Sequence, residues 1–260
     1  MNSPGIVRFE HSGPAGELER WEDIPASELE SGNPVQRGHF NLKDEKLGVS
    51  AGVWDCTAFT SKPGPYPVNE FMIVLEGSVT IVEAGGQETT VNPGESFLIP
   101  KGLVCQWKQP GYMRKYFVIF DDASGMKPDD ESRLHVIRPN PSVELSASTP
   151  PAAEMLLSGN PTQHAHEYFS DLTGQWSVGV WDTTAYWRKR IPFPRHELMH
   201  LLEGAVTLTD GDGNEHKFKA GDTFLVPLGA ICDWRCEGYV RKIYCIHQPR
   251  SVVAQTKAAE

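Results

Sequence analysis

The sequence predicts an all-β protein built from two tandem copies of one sandwich or barrel domain, and three observations predict it. The first is an internal repeat. SGNPVQ from Ser31 returns as SGNPTQ from Ser158, GVWDCTAF from Gly52 as GVWDTTAY from Gly179, and PYPVNEFMIVLEGSVT from Pro65 as PFPRHELMHLLEGAVT from Pro192, always 127 residues apart. Residues 31–119 and 158–246 align without a gap and share 38 identities in 89 positions, too many for a chance likeness between two β domains. The second is a series of four- to eight-residue runs rich in Val, Ile, Phe, Thr and Tyr, separated by Gly, Pro, Asn and Asp. The third is turn chemistry: EAGGQE and DGDGNE stand between alternating runs, where glycine supplies the positive φ of a hairpin.

In chain order, each copy opens on a short helix-prone stretch, IPASELES or PPAAEMLLS, which the sequence predicts as its helical content. Strands follow at GVWDCTAF, EFMIVLEG, a hairpin over VTIVEAGGQETTV, ESFLIP, CQW and RKYFVIF, and at their counterparts in the second copy. The Pro- and Ser-rich run at residues 138–154 contains the junction, which divides the chain into domains at 1–137, with a leader segment, and 138–260.

Bulk chemistry narrows the partners. With 260 residues, a formal net charge of −10 and 22% charged residues, the chain has globular composition and no basic footprint for nucleic acid or an anionic membrane surface. No N-terminal apolar run resembles a signal peptide and none is long enough to span a bilayer, which predicts a cytoplasmic protein with small-molecule partners. Five cysteines, an odd set lacking a second Cys or His pair, predict reduced thiols rather than a disulfide framework or zinc site.

HELMH, His196–His200, has the H-E-x-x-H spacing of a zinc peptidase helix, but its context is wrong. Pro192 and Pro194 precede it, Gly204 follows, and its counterpart reads NEFMI without histidine. On a strand, His196 and His200 stand roughly 13 Å apart, too far for one zinc to bridge. They are expected at the outer or inter-copy surface, and Glu197 is expected to face the other way.

In each copy, E-x6-G (Glu70 to Gly77, Glu197 to Gly204) is followed by G-x5-P-x-G (Gly94 to Gly102, Gly221 to Gly229). These resemble the two motifs of the cupin superfamily over nearly the whole chain. The resemblance implies a bicupin: two double-stranded β-helix jelly rolls (RmlC-like) related by a pseudo-twofold, with room for a further homodimer. The finer pattern, GVWD, LEG-VT and a closing RK, resembles the cupin subfamily that includes ureidoglycine aminohydrolase domains. That implies a hydrolase or isomerase of small-molecule metabolism; the alternative is a non-catalytic binding or sensing module.

Metal-binding cupins carry H-x-H shortly before the motif glutamate and a third histidine after P-x-G. Here the first slots hold residues such as Tyr66, or Arg190 with Pro192, and the third holds Cys105 or Cys232. Only Glu70 and Glu197 remain of the expected ligands, so no metal or other cofactor is predicted. Strand alternation turns Val68, Glu70, Met72 and Val74 inward in copy one, and Arg195, Glu197, Met199 and Leu201 in copy two. Glu70 and Glu197 are the candidate acid/base residues, unless each is a structural carboxylate paired with Lys115 or Lys242. Cys105 and Trp107, Cys232 and Trp234 are expected to share the pocket walls, the thiols either as small hydrophobes or, beside a cation, as reactive thiolates. Trp54 and Trp181 join the walls or fill the core. Arg195, His196 and His200, against Val68, Asn69 and Ile73, make the second copy the more polar one and raise the prospect that the copies are specialised.

Overall fold

Why the repeat folds as it does is seen in the computed structural model, which describes residues 4–128 and 130–250. The described chain forms two compact units: residues 9–138 with 171–173, and residues 4–8 with 139–170 and 174–250. The leader does not stay wholly with the first copy. Val7–Arg8 forms a short strand antiparallel to Thr223–Val226, the outer strand of a sheet in the second copy.

Each unit is a pair of antiparallel sheets. In the first, one sheet runs Ser96–Ile99, Asn69–Glu76, Met113–Phe120, Val49–Cys56, Gln36–Asp44 and Glu19–Arg20. The other runs Glu88–Val91, Val79–Glu83, Val104–Gln109, Phe59–Ser61 and Leu29–Gly32, with Gly64–Pro65 also paired to Val104–Gln109. The second unit repeats this with His196–Glu203 between Thr223–Val226 and Val240–His247, and with Ile231–Cys236 between Tyr186–Pro192 and Ala205–Thr209. The core of the first unit holds Met72, Phe97, Trp107 and Phe117; that of the second holds Met199, Phe224, Trp234 and Val240. A fully buried Phe or Met stabilises by roughly 1.5–3 kcal/mol relative to exposure. Among the described residues no helix is long and apolar enough to cross a membrane.

Two expectations are corrected. The entrance stretches are single 3-10 turns, Ala26–Glu28 and Ala153–Met155, each followed by an extended residue that starts a strand. His196 is buried, not outward: its ring stacks on His247 with centroids 5.8 Å apart, and its Nδ1 accepts the Leu228 N–H at 3.2 Å. The strand His196–Glu203 is covered on both faces, so the side opposite Glu197 is not a solvent face. His200 is half-buried against Thr223, 2.8 Å from its hydroxyl.

The motif glycines have local causes. Gly77 and Gly204 sit at φ 70° and 79°, and a Cβ there would lie 2.0 Å from the carbonyl oxygen of Tyr112 or Tyr239. The P-x-G turns clip the segment before the motif glutamate. Gly102 N–H donates to the Tyr66 carbonyl at 2.8 Å, and Gly229 N–H to the Phe193 carbonyl at 2.7 Å.

Candidate functional site

In the first unit Glu70 and Lys115 lie on neighbouring strands, Asn69–Glu76 and Met113–Phe120. Lys115 opposes Val74, four residues along from Glu70, and its long stem closes the gap. Its Nζ donates to Glu70 Oε1 at 2.7 Å and lies 3.0 Å from Met72 Sδ. It also stands 4.8 Å from the ring centroids of both Trp54 and Trp107, which meet edge to face at 6.3 Å. Tyr66, held by the P-x-G turn, donates its hydroxyl to Glu70 Oε2. Burial, then the neighbouring Glu70 carboxylate, hold the Tyr66 phenol well above its usual range, so it remains a donor.

The second unit builds the same cluster. Lys242 Nζ donates to Glu197 Oε1 at 2.7 Å, lies 3.1 Å from Met199 Sδ, and stands 4.6 and 5.0 Å from the Trp181 and Trp234 centroids. The second carboxylate oxygen has a different partner: Arg195 Nε donates to Glu197 Oε2 at 2.9 Å. Burial opposes ionisation of Glu197, but Lys242 and Arg195 outweigh it and hold its pKa down at about 2. In both copies the pairing with Lys115 and Lys242 uses the glutamate as a charged anchor.

Each cluster opens into a cavity. That of the first unit is about 880 Å³ and is lined by Trp54, Tyr66, Glu70, Cys105, Trp107 and Lys115 among others. That of the second is about 510 Å³, with Trp181, Arg188, Arg195, Glu197, Trp234 and Lys242 on its walls. Both lie in the range usual for small-molecule sites. Of the residues expected at the pockets, Glu70, Cys105, Trp107, Arg195, Glu197, Met199 and Trp234 line them. Met72 and Cys232 are not among the lining residues; both have no exposed surface and pack in the cores. Trp54 and Trp181 line the walls, while Arg188 escaped the sequence reading because it lies nine residues upstream of Glu197 on another strand. A basic residue where copy one has Ser61 was the signal that could have found it.

The thiols are not poised for reaction. Burial, then Glu83, push Cys105 up to about 11; burial pushes Cys232 to about 11 despite the opposing charge of Arg188. All five cysteines are buried and unbridged.

The metal that the cupin fold implies does not fit these donors. Among the described residues no three His, Cys, Asp or Glu side chains gather as a metal-binding group. The one motif carboxylate in each pocket is already bonded to an ammonium, whose charge repels a second cation.

No curated protein matches this chain. Among solved structures, a protein of unknown function of the DUF861 family from Pseudomonas syringae pv. tomato is 28% identical, with TM-score 0.77 over 94% of this chain and 99% of its own. Protein Ylba from E. coli, also of DUF861, is 13% identical with TM-score 0.50 over 93% of each chain. A cupin 2 conserved barrel domain protein from Leptotrichia buccalis is 9% identical with TM-score 0.52, covering 89% of this chain and 98% of its own. These two show likeness of fold alone. The EutQ-like cupin domain model matches twice, at residues 44–117 and 171–244, one match on each pair of sheets. The chain thus belongs to the EutQ-like cupin family, as two tandem jelly rolls.

Proposed function

We propose that this bicupin binds a small molecule in its jelly-roll pockets without a metal, and that it is a binding module rather than a hydrolase or isomerase. One observation carries the proposal: in each pocket a lysine ammonium is held 2.7 Å from the motif glutamate and against two tryptophan faces. A fixed cation and flat aromatic walls recognise a polar planar ligand without further machinery. Glutamate as acid/base is disfavoured, because a carboxyl held at about 2, as Glu197 is, has no proton to give near neutral pH and is a weak base. The high-pKa thiols offer no nucleophile in its stead.

The test is ligand-induced stabilisation of full-length protein stripped with EDTA, read by thermal melting and calorimetry across acids, amides, amines and sugars. A ligand at 100 times its Kd adds about 2.7 kcal/mol of stability. At least one compound is expected to bind equally well before and after chelation, and to be recovered unchanged. A requirement for re-added transition metal overturns the metal-free proposal. Turnover of a bound compound that Glu197→Gln abolishes restores the hydrolase or isomerase.

A further inference from the structure

The two pockets share a lysine, a glutamate and two tryptophans but differ in charge. The first-unit cavity is lined by Lys62 and Lys115 and by Glu28 and Glu70, two cations against two carboxylates. The second is lined by Arg188, Arg195 and Lys242 against Glu197 alone, which leaves two positive charges in a chain whose formal net charge is −10. The change arises at four aligned positions: the counterpart of Lys62, Lys189, is exposed and off the cavity wall, and three residues differ in type. Ser61 becomes Arg188, Val68 becomes Arg195, and Glu28 becomes Met155.

The three cations are not equivalent. Lys242 and Arg195 each bond one oxygen of Glu197. Arg188 has no carboxylate within ion-pair distance among the described residues; it lies 3.5 Å from the Cys232 carbonyl, hydrogen-bonds the neutral Cys232 thiol and stands 6.0 Å from the Phe193 ring. The backbone sets its direction. Arg188 pairs with Trp234 and Ile191 with Cys232, so the strand advances three residues where its partner advances two. Regular alternation from Tyr186 sets Arg188 beside Trp234 on the cavity wall, and the β-bulge that follows brings Ile191 to the same wall while Lys189 and Arg190 are exposed.

We infer that the second-unit pocket is a selective site for a small carboxylate anion, with Arg188 taking the carboxylate and Trp181 and Trp234 flanking an apolar or planar body. This rests on the proposed binding function and adds the ligand class and the copy that takes it. A guanidinium offers a carboxylate two parallel N–H donors, and an arginine without a counter-ion in a half-enclosed cavity is the group that gains most from one. Glu197 does not compete for the incoming anion's place, since both its oxygens are already bonded.

The experiment titrates full-length, EDTA-treated protein with benzoate and succinate, with their uncharged counterparts benzamide and succinamide, and with benzylamine, reading tryptophan fluorescence and calorimetry. Carboxylates are expected to bind at least about tenfold more tightly than the amides, and more weakly as salt rises. Arg188→Met is expected to weaken carboxylate binding by about tenfold to a hundredfold, and Arg188→Lys by less, because it keeps the charge and loses the fork. Should Arg188→Met not fold, Arg188→Lys and the wild-type carboxylate-to-amide ratio decide. Equal affinity for amide and carboxylate, tighter binding of benzylamine, or full carboxylate affinity in Arg188→Met overturns the inference while leaving a binding protein. Absence of saturable binding by all five compounds overturns the inference, and the same absence across the wider panel of acids, amides, amines and sugars removes the functional proposal as well.

Discussion

Removing Lys115 tests the central claim that the motif glutamate is a buried ionic anchor. Lys115→Met keeps the aliphatic stem against Met72, Trp54 and Trp107 and deletes only the charge. In the native pair both side chains are nearly inaccessible, 7% and 8% exposed, and 2.7 Å apart. The variant leaves the Glu70 carboxylate buried with Tyr66 as its remaining side-chain partner. Stranding a buried charge costs about 3–5 kcal/mol. For a unit of this size that lowers its melting transition by roughly 10–20 °C. Lys242→Met should cost less, about 1–3 kcal/mol, because Arg195 still neutralises Glu197 from 2.9 Å. The double variant Glu70→Leu/Lys115→Met removes both charges and should recover at least half the loss, since an apolar replacement of a buried pair is often neutral. Urea denaturation of the full chain with each variant measures these differences. If Lys115→Met costs under about 1 kcal/mol, or if Lys242→Met is the more damaging, the anchor argument is wrong.

Two further outcomes follow from the same geometry. The folded pKa of Glu197, about 2, lies below its ordinary 4.5, so its ionised form stabilises the fold above that ordinary value and the contribution is lost as pH falls from 4.5 towards 2. Glu197→Gln should therefore flatten the acid limb of a stability-against-pH curve in that window, and an unchanged limb would show that other carboxylates govern it. Gly77→Ala and Gly94→Ala separate strain from collision: both positions have positive φ, 70° and 84°, but an added methyl meets the Tyr112 carbonyl at 2.0 Å only in the first. Gly94→Ala should cost about 1–2 kcal/mol and Gly77→Ala clearly more, as urea midpoints would report.

Much of the site was legible in one dimension because its parts are repeated. The offset of 127 residues identified Glu70 with Glu197 and Trp107 with Trp234, and strand alternation placed each glutamate inward. Alternation failed where it assumed a solvent face. His196 is polar and lies on the side opposite Glu197, yet that side is covered, and only the packing around His247 shows it. It was right that Met72 faces inward, yet Met72, like Cys232 at the motif slot, packs in the core and is not among the residues lining the cavity. Periodicity says which way a side chain points and nothing about what fills the space in front of it.

The sequence by itself determined that this is a duplicated β protein, where its turns fall, and which carboxylate each copy keeps. Those properties are local: strand propensity, positive-φ glycines and an internal repeat are written within a few residues or by direct comparison of two segments. Tertiary structure decided the chemistry of the pockets. Lys115 is 45 residues from Glu70, and Lys242 is 45 from Glu197, so only strand pairing joins them. The third partner differs by copy, Tyr66 in one and Arg195 in the other, from positions that do not align with each other. Arg188 reaches the pocket because its strand pairs it with Trp234 on the opposite wall strand, 46 residues on. The charge of a cavity is a sum over strands far apart in sequence, and the fold carries out that sum.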